Sequence, residues 1–309
     1  MRGRPPTETP MTYHLILNPA AGRGRARRCA RRLVELARRR LKPLEVHTTE
    51  RPGHARELVS RMAGDADTVI AAGGDGTIFE VVNGLGNSGA ALGVIPIGSG
   101  NDFVRSVGLP GDVASAIDII RRGNHRAVDV GLANGYRFVN GLGIGFDARA
   151  VVESRKIKWL RGLPLYLLSV LKAAWKYRNQ KVRLHIDGDE EERPVFMISV
   201  GNGEYLGGGF RINPGARIDD GWLEVCIFQA LRKSEIFRYL PLAVRGAHLR
   251  LPQVQQRRAQ RLRVEADEPL PVHADGELLS PHGFHSVEVS LQPGALRVCV
   301  PGDVQSHHA

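Results

Sequence analysis

Short apolar runs alternate with segments of helical periodicity in the first half of the chain. The predicted strands lie at 13–17, 44–48, 68–72 and 91–95, and the predicted helices at 23–40, 53–62, 78–82 and 112–121, with a glycine loop at 73–77 between the third strand and its helix. Alternation of strand and helix is typical of a parallel sheet covered by helices. The first half is therefore predicted to be an α/β domain with a mostly parallel sheet.

The pattern changes near residue 123, where period-two alternation replaces helical periodicity. Asn134-Gly135, between two strand-like segments, is a strong hairpin pattern. Further strands are predicted at 182–186, 195–200, 223–228, 261–265 and 287–298. The second half is therefore predicted to be β-rich and antiparallel, with the domain boundary near residue 128. The division is a flexible tail at 1–11, an α/β domain at 12–128, a β-rich domain at 129–303 and a second tail at 304–309.

Two glycine-rich loops follow neighbouring predicted strands. Gly73-Gly74-Asp75-Gly76-Thr77 opens a helix, and Pro96-Ile97-Gly98-Ser99-Gly100-Asn101-Asp102-Phe103 follows the next strand. Carboxyl ends of parallel strands meet at one edge of a sheet, where glycine loops and helix N-termini bind phosphates. Asp75 suits a metal or a hydroxyl better than a bare anion. A tight turn without ligand is the alternative explanation.

The charge balance is strongly basic, with a formal net charge of +11. A membrane surface, a nucleic acid or a phosphorylated ligand would each suit this charge, and a general arginine bias is the alternative explanation. The arginine-rich helix at 23–40 lacks interleaved aromatic residues, so it is interpreted as a solvated face. Three scattered cysteines support neither a disulfide framework nor a zinc knuckle, and no signal peptide precedes the first strand, so the cytoplasm is the expected location. The cysteines are Cys29, Cys226 and Cys299.

The segment 156–178 combines an apolar middle with basic ends and two tryptophans, Trp159 and Trp175. Its apolar core is too short to cross a bilayer. Such a composition fits a helix lying at a membrane interface, and it also fits a core helix with solvated ends. Both interpretations stay open at the level of sequence.

Several common nucleotide-binding and hydrolase motifs are absent from the sequence, including the P-loop, the dinucleotide fingerprint, the nucleophile elbow and the zinc-protease helix. Instead, six motifs occur in an order that resembles the lipid kinase family of bacterial soluble diacylglycerol kinases, with sphingosine and ceramide kinases as relatives. Besides the two glycine loops, these motifs are Asn18-Pro19 with Gly22, Gly207-Gly208-Gly209, Asp219-Asp220-Gly221 and Asp275-Gly276-Glu277.

The resemblance implies an N-terminal domain related to the phosphofructokinase and NAD kinase folds, with ATP as co-substrate. It implies nucleotide contacts from the polar residues and glycines of the first domain. These are Asn18, Thr48, Thr49, Gly73, Gly74, Asp75, Gly76, Thr77, Ser99 and Asn101. Ser99 departs from the threonine often found there in bacterial members, but it keeps the hydroxyl.

In the second domain, the resemblance makes Asp220 the anchor of a structural Mg²⁺, helped by the main-chain carbonyls of Arg217 and Trp222. An acidic turn before a strand is the alternative. Glu277 resembles the family's general base, although Asp275-Gly276 alone also predicts a hairpin turn followed by an exposed glutamate. Asp75 would link the metal ion to the phosphates of the nucleotide.

The implied function is transfer of the γ-phosphoryl group of ATP to a lipid hydroxyl, with diacylglycerol as the preferred acceptor and phosphatidic acid as product. The alternatives are an NAD kinase, a kinase of sphingoid or other lipid alcohols, and a non-catalytic nucleotide-binding protein. The expected partners are ATP, the lipid substrate and an anionic membrane surface, without nucleic acid. A homodimer is compatible with the predicted sheet edge.

Overall fold

The computed structural model describes residues 11–157, 160 and 162–302. The predicted tail at 304–309 lies outside the described residues, as does the tail at 1–11 apart from Met11. Trp159 of the predicted interfacial segment also lies outside them.

The first part of the chain alternates strands and helices, as predicted. Its strands are β1 (Tyr13–Leu17), β2 (Leu44–Thr48), β3 (Thr68–Gly73) and β4 (Ala91–Pro96), and its helices are α1 (Ala21–Arg40), α2 (His54–Met62), α3 (Asp75–Leu85), α4 (Asp102–Val107) and α5 (Val113–Arg122). In α1 the backbone of residues 22–24 is left-handed, so the regular helix starts after Gly24.

These four strands form a parallel sheet in the order β4-β3-β1-β2. Every residue of β1, β3 and β4 is buried, as expected for strands covered on both faces. One face packs against α1 and α5, and the other against α2 and α3. The prediction of an α/β domain with a mostly parallel sheet is confirmed.

The second part of the chain is mostly strand. Its strands are β5 (His125–Ala133), β6 (Tyr136–Phe138), β7 (Gly141–Gly145), β8 (Gln180–Ile186), β9 (Asp189–Gly201), β10 (Tyr205–Leu206), β11 (Phe210–Arg211), β12 (Leu223–Gln229), β13 (Val254–Ala259), β14 (Arg261–Leu270), β15 (Val272–Ala274), β16 (Glu277–Leu278) and β17 (Phe284–Cys299). The helices are α6 (Phe146–Lys156), α7 (Gly162–Lys176), α8 (Lys233–Val244) and a 3-10 turn (Ala247–Arg250).

The strands of this second part pair antiparallel with one another, as predicted. The β5–β6 hairpin turns at Asn134-Gly135, and both residues have positive φ as the sequence pattern requires. β17 pairs antiparallel with β14 and β5 and touches β4 in parallel at Val298 and Leu92. The last strand therefore joins the β-rich part to the α/β sheet.

Besides the short α4, two helices lie where the sequence predicted none, α6 and α8. α6 begins directly after β7 and packs Phe146 and Ala150 into a core with Phe196 and Val170. α8 contains Pro241, a residue that disrupts the helical pattern of a sequence. Packing of their apolar faces outweighs these weak local patterns.

The predicted helix of the segment 156–178 is present as α7. Val170, Ala173 and Ala174 are buried against the second core, whereas Trp175 is 76% exposed and Leu171 39%. Among the described side chains of α7, one face is therefore a core face and the other is exposed. Within the described residues, no helix has both the length and the apolar character needed to span a bilayer.

Candidate active site

A cleft of about 1020 Å³ opens at the carboxyl edge of the parallel sheet. The loops that follow β1, β2, β3 and β4 form one wall. The turn between β15 and β16 and the glycine run that follows β10 form the other, with Val151 and Ser154 of α6 between them. Both glycine loops and the Asp275-Gly276-Glu277 turn thus line the same cleft.

Asn18 connects the first loop to the second. Its Nδ2 donates to Thr77 Oγ1 at 2.9 Å, and its Oδ1 accepts from the Ala20 N–H at 3.0 Å. The amide therefore holds the chain after β1 against the first turn of α3. This hydrogen bond fixes the position of the N-terminus of α3, which lines the cleft.

Two glycines allow contacts that side chains would block. A Cβ on Gly98 would lie 2.5 Å from the Gly74 Cα, so the two glycine loops approach each other backbone to backbone. A Cβ on Gly76 would lie 2.5 Å from Oε1 of Glu277. The Glu277 carboxylate therefore sits directly on the first turn of α3, where helix N–H groups are available to an anion.

Asp75 lies in the first turn of α3 and projects between the two glycine loops. Its Oδ1 accepts from the Phe103 N–H at 3.3 Å, and its Oδ2 is close enough to Gly100 to exclude a Cβ there. Burial raises the pKa of Asp75, and hydrogen bonds from the backbone of residues 101–103 partly offset this effect. Burial therefore makes the charged form of Asp75 unfavourable, and a bound cation would offset this effect.

Asp102 is a second acidic group at the site, and the sequence analysis assigned it no role. It is buried, pairs with Arg105 at 2.8 Å and accepts from the Gly208 N–H at 2.7 Å. Burial and the nearby negative charge of Asp75 raise its pKa to about 7. Asp102 also ties the glycine run after β10 to the N-terminus of α4.

Asp275 is the third buried carboxyl. It accepts backbone hydrogen bonds from Val139, Asn140 and Gly141 at 2.8–3.0 Å. Burial raises its pKa to about 6, although these three donors favour the charged form. Its role is structural, because it fixes the turn that carries Glu277 onto the link between β6 and β7 and onto the first residue of β7.

The electrostatics of the cleft suit a metal–nucleotide complex. Burial raises the pKa of Asp75, Asp102 and Asp275, and at Asp102 the ion pair with Arg105 offsets only part of this effect. Oxygen donors of this kind are what Mg²⁺ prefers. Arg27 lines the same wall of the cleft as the glycine loops and is placed for an anion, whereas Arg51, also in the lining, is paired with Glu57 at 2.7 Å. The residues present therefore fit a hard cation carried with phosphates.

A buried histidine–aspartate pair supports the turn that carries Glu277. His273 Nε2 lies 2.8 Å from Asp147 Oδ2, and His273 Nδ1 accepts from the Gly276 N–H at 3.2 Å. Neither residue is among the site residues that the sequence predicts. A histidine two residues before an Asp-Gly turn was the available sign, but its partner lies 126 residues away in the chain.

Some of the residues predicted to contact the nucleotide line the cleft, and others do not. Thr49 lines the cleft and is buried, whereas Thr48 is exposed and does not line it. Ser99 lines the cleft and is exposed to it. Asn101 lies behind that wall in a left-handed conformation, and its buried Oδ1 has no hydrogen-bond partner. Gly73 ends β3 beneath the loop and is also outside the lining.

The proposed structural metal ligands lie outside the cleft lining, in the loop before β12. Asp220 accepts from the Trp222 N–H at 3.1 Å and pairs closely with the Arg258 guanidinium. The neighbouring Asp219 pairs with Arg126, and its Oδ1 is buried without a hydrogen bond. The oxygen donors fit Mg²⁺, but a cation on Asp220 would have to replace Arg258. Arg217 contributes its guanidinium 3.8 Å from Asp219.

Two family models together cover almost the whole chain. The model described as "Diacylglycerol kinase catalytic domain" matches residues 12–133, and the model described as "YegS C-terminal NAD kinase beta sandwich-like domain" matches residues 140–300. The first contains both glycine loops and Asn18, and the second contains the turn with Glu277.

Similar proteins carry the same assignment. A diacylglycerol kinase of Mycobacterium tuberculosis (strain ATCC 25618 / H37Rv) is 30% identical over 294 residues, which cover 93% of this chain and 94% of that protein. A diacylglycerol kinase of Bacillus subtilis (strain 168) is 30% identical over 270 residues, covering 85% and 88%. The crystal structure of a diacylglycerol kinase from Bacillus anthracis str. Sterne matches with a TM-score of 0.72 at 25% identity, covering 97% of this chain and all of the other. The chain therefore belongs to the diacylglycerol kinase family and is a lipid kinase.

Proposed function

We propose that this lipid kinase transfers the γ-phosphoryl group of ATP to the hydroxyl of diacylglycerol and releases phosphatidic acid. The contact between the Glu277 carboxylate and Gly76, on the first turn of α3, is the observation that carries the proposal. It supports a role for Glu277 as proton acceptor beside the backbone that would hold the transferred phosphate. The names of the relatives support the choice of diacylglycerol as acceptor.

The nucleotide would bind along the wall formed by the loops after β1 to β4. Backbone N–H groups from residues 74–76 are suited to its phosphates, and Asn18 holds that turn in place through the Thr77 hydroxyl. Thr49 and Ser99 offer hydroxyls from the neighbouring loops. Arg27 adds positive charge on the same side of the cleft.

Asp75 and Asp102 would hold a magnesium ion that travels with ATP, and this ion would neutralise charge on the phosphates. Asp75 would connect the magnesium ion to the glycine loops on either side of it. Asp102 positions the glycine run at residues 207–209 through its bond to Gly208. A second ion at Asp220 would have a structural role, in place of the Arg258 contact.

Glu277 would accept the proton of the lipid hydroxyl as the oxygen attacks the γ-phosphorus, while the bond from that phosphorus to the β–γ bridging oxygen breaks and ADP leaves. Such a base contributes about 10²–10⁴-fold to the rate, and positioning of the two substrates contributes more. Asp275 fixes the turn through three backbone N–H groups, and His273 accepts from Gly276. These contacts hold the base at one place before the lipid arrives.

A lipid acceptor requires the kinase to reach a membrane surface from the cytoplasm. The net charge of +11 favours anionic lipids. Trp175, exposed on α7 with Lys233 Nζ 5.5 Å above its ring, supports an interfacial contact at this end of the helix. We propose peripheral association through this surface.

A panel assay tests the function directly. The purified chain is incubated with γ-labelled ATP, Mg²⁺ and mixed micelles that contain diacylglycerol, a sphingoid base, ceramide or another lipid alcohol, with NAD in a parallel reaction. We expect labelled phosphatidic acid as the main product. If another lipid is labelled preferentially, that lipid replaces diacylglycerol as the proposed acceptor, and the proposed mechanism is unchanged. Labelling of NAD alone, or ATP binding without transfer to any acceptor, would overturn the proposal.

A further inference from the structure

Three side chains of types that commonly bind metal ions lie close together at the edge of the parallel sheet. None of them lines the kinase cleft. His14 lies on β1, and Glu45 and His47 lie on the neighbouring strand β2. The register pairs His14 with Glu45, and Glu45 and His47 are two residues apart, so all three side chains project from the same face.

The three ligand atoms are close to one another. His14 Nδ1 lies 3.3 Å from His47 Nε2 and 3.6 Å from Glu45 Oε2, and His47 Nε2 lies 3.7 Å from the same Glu45 oxygen. The two imidazole rings are stacked at 14° to each other, with centroids 5.5 Å apart. The three ligand atoms therefore lie within 3.7 Å of one another, and without an ion the two imidazoles share a hydrogen bond across this gap.

These separations match a tetrahedral metal centre. Two ligand atoms at about 2.0–2.2 Å from a tetrahedral ion lie about 3.3–3.6 Å apart. We propose that His14, Glu45 and His47 form a binding site for a transition metal ion, with Zn²⁺ as the representative occupant. Two imidazoles exclude Mg²⁺ and Ca²⁺ as preferred ions, because those cations favour oxygen ligands.

The burial of the three side chains suits an ion that enters from solvent. The His14 side chain is 11% exposed and that of His47 25%, whereas that of Glu45 is 68% exposed. The two histidines thus have fixed positions, and the glutamate can swing onto an ion that they hold. A water molecule would complete the fourth position, as in sites with three protein ligands.

The site would tie β2 to β1. In the described sheet β2 lies at the end of the strand order, with β1 as its neighbour. It continues directly into Thr49, which lines the cleft. An ion across the two strands would therefore stabilise the edge strand that leads into the nucleotide wall.

Binding of Zn²⁺ to the untagged full chain, stripped with chelator and free of ATP, tests the site by titration calorimetry. We expect one ion per chain. Glu45→Gln and His47→Gln should each weaken binding by about tenfold or more, because each removes one of three ligands. His285→Gln, a change to an exposed histidine on β17, is the matched control and should leave the affinity within about twofold.

Two further measurements keep the result independent of folding and of kinase activity. Co²⁺ in place of Zn²⁺ should give the intense visible absorption of a tetrahedral centre in the wild type and in His285→Gln, but not in His47→Gln. Far-ultraviolet circular dichroism should be the same for all variants. Absence of stoichiometric binding, or equal affinities in the wild type, Glu45→Gln and His47→Gln, would overturn the metal site.

Discussion

His273 and Asp147 form a buried pair behind the turn that carries Glu277, with 2.8 Å between Nε2 and Oδ2. Their side chains are 2% and 4% exposed. Because the Gly276 N–H donates to Nδ1, the proton of the neutral ring lies on Nε2 and is donated to Asp147. The orientation of the turn is thereby linked to α6, a helix on the other side of β15.

We predict that His273→Leu lowers kcat by about 10–100-fold, because the turn loses an acceptor and Glu277 moves relative to the phosphate wall. The KM for ATP should change much less, since the loops after β1 to β4 are untouched. Asp147→Asn, which keeps an oxygen acceptor for Nε2, should retain more activity. Steady-state kinetics on folded protein make the comparison, with His285→Gln as control. If kcat is unchanged in His273→Leu, the pair has a structural role only.

Glu277→Gln should reduce kcat by more than about tenfold and up to about 10⁴-fold, because the amide cannot accept the hydroxyl proton. ATP binding should be preserved, since the side chain keeps its size on Gly76. Glu288→Gln, a change at a side chain that is 73% exposed, is the matched control and should behave as wild type. A fall of less than about tenfold, with the protein still folded, would rule out Glu277 as the base.

Asp102 should make the magnesium-free protein less stable as pH rises. Its pKa is raised from 3.8 to about 7, so the native protein holds this proton in a pH range where the unfolded chain has released it. The free energy of unfolding therefore decreases from about pH 4 to about pH 7 through this group. In Asp102→Asn that contribution is absent, so the variant should gain stability relative to wild type as pH rises. Urea unfolding at several pH values measures the difference, and a constant difference would contradict it.

Magnesium at Asp220 should compete with Arg258. Arg258→Gln removes the guanidinium that pairs with Asp220, so Mg²⁺ should raise the melting temperature of this variant more than that of wild type. In Asp220→Asn the increase that comes from this site should be lost. Both changes are compared in chelator and in Mg²⁺ without ATP. Equal increases in all three proteins would remove Asp220 from the metal ligands.

Vesicle sedimentation tests the membrane contact. Binding to anionic vesicles should exceed binding to neutral vesicles at low salt and should weaken as salt screens the charges. Trp175→Ala should reduce binding, because this exposed indole would enter the interface. Trp222→Ala changes a tryptophan that is 37% exposed in the loop before β12 and serves as control. Equal binding to both vesicle types would reject the electrostatic contact.

Local patterns in the sequence determined most elements and one half of the site. Continuous apolar runs predicted the buried strands β1, β3 and β4, and glycines after β3 and β4 predicted the loops that meet at the cleft. Asn134-Gly135 predicted its hairpin. These features depend on side-chain periodicity and backbone conformation over a few residues, which a sequence contains directly.

Only the tertiary structure decided which distant groups share the cleft. The contact of Glu277 with Gly76, the bond of Asp102 to Gly208 and the pairing of His273 with Asp147 join residues that are 106 to 201 positions apart. They arise because β17 joins the antiparallel strands to the parallel sheet and so brings the β15–β16 turn over α3. Burial in that junction, and the closeness of like charges, also raises the pKa of the carboxyls. Local pattern contains neither the pairing of remote strands nor the solvent exclusion that follows from it.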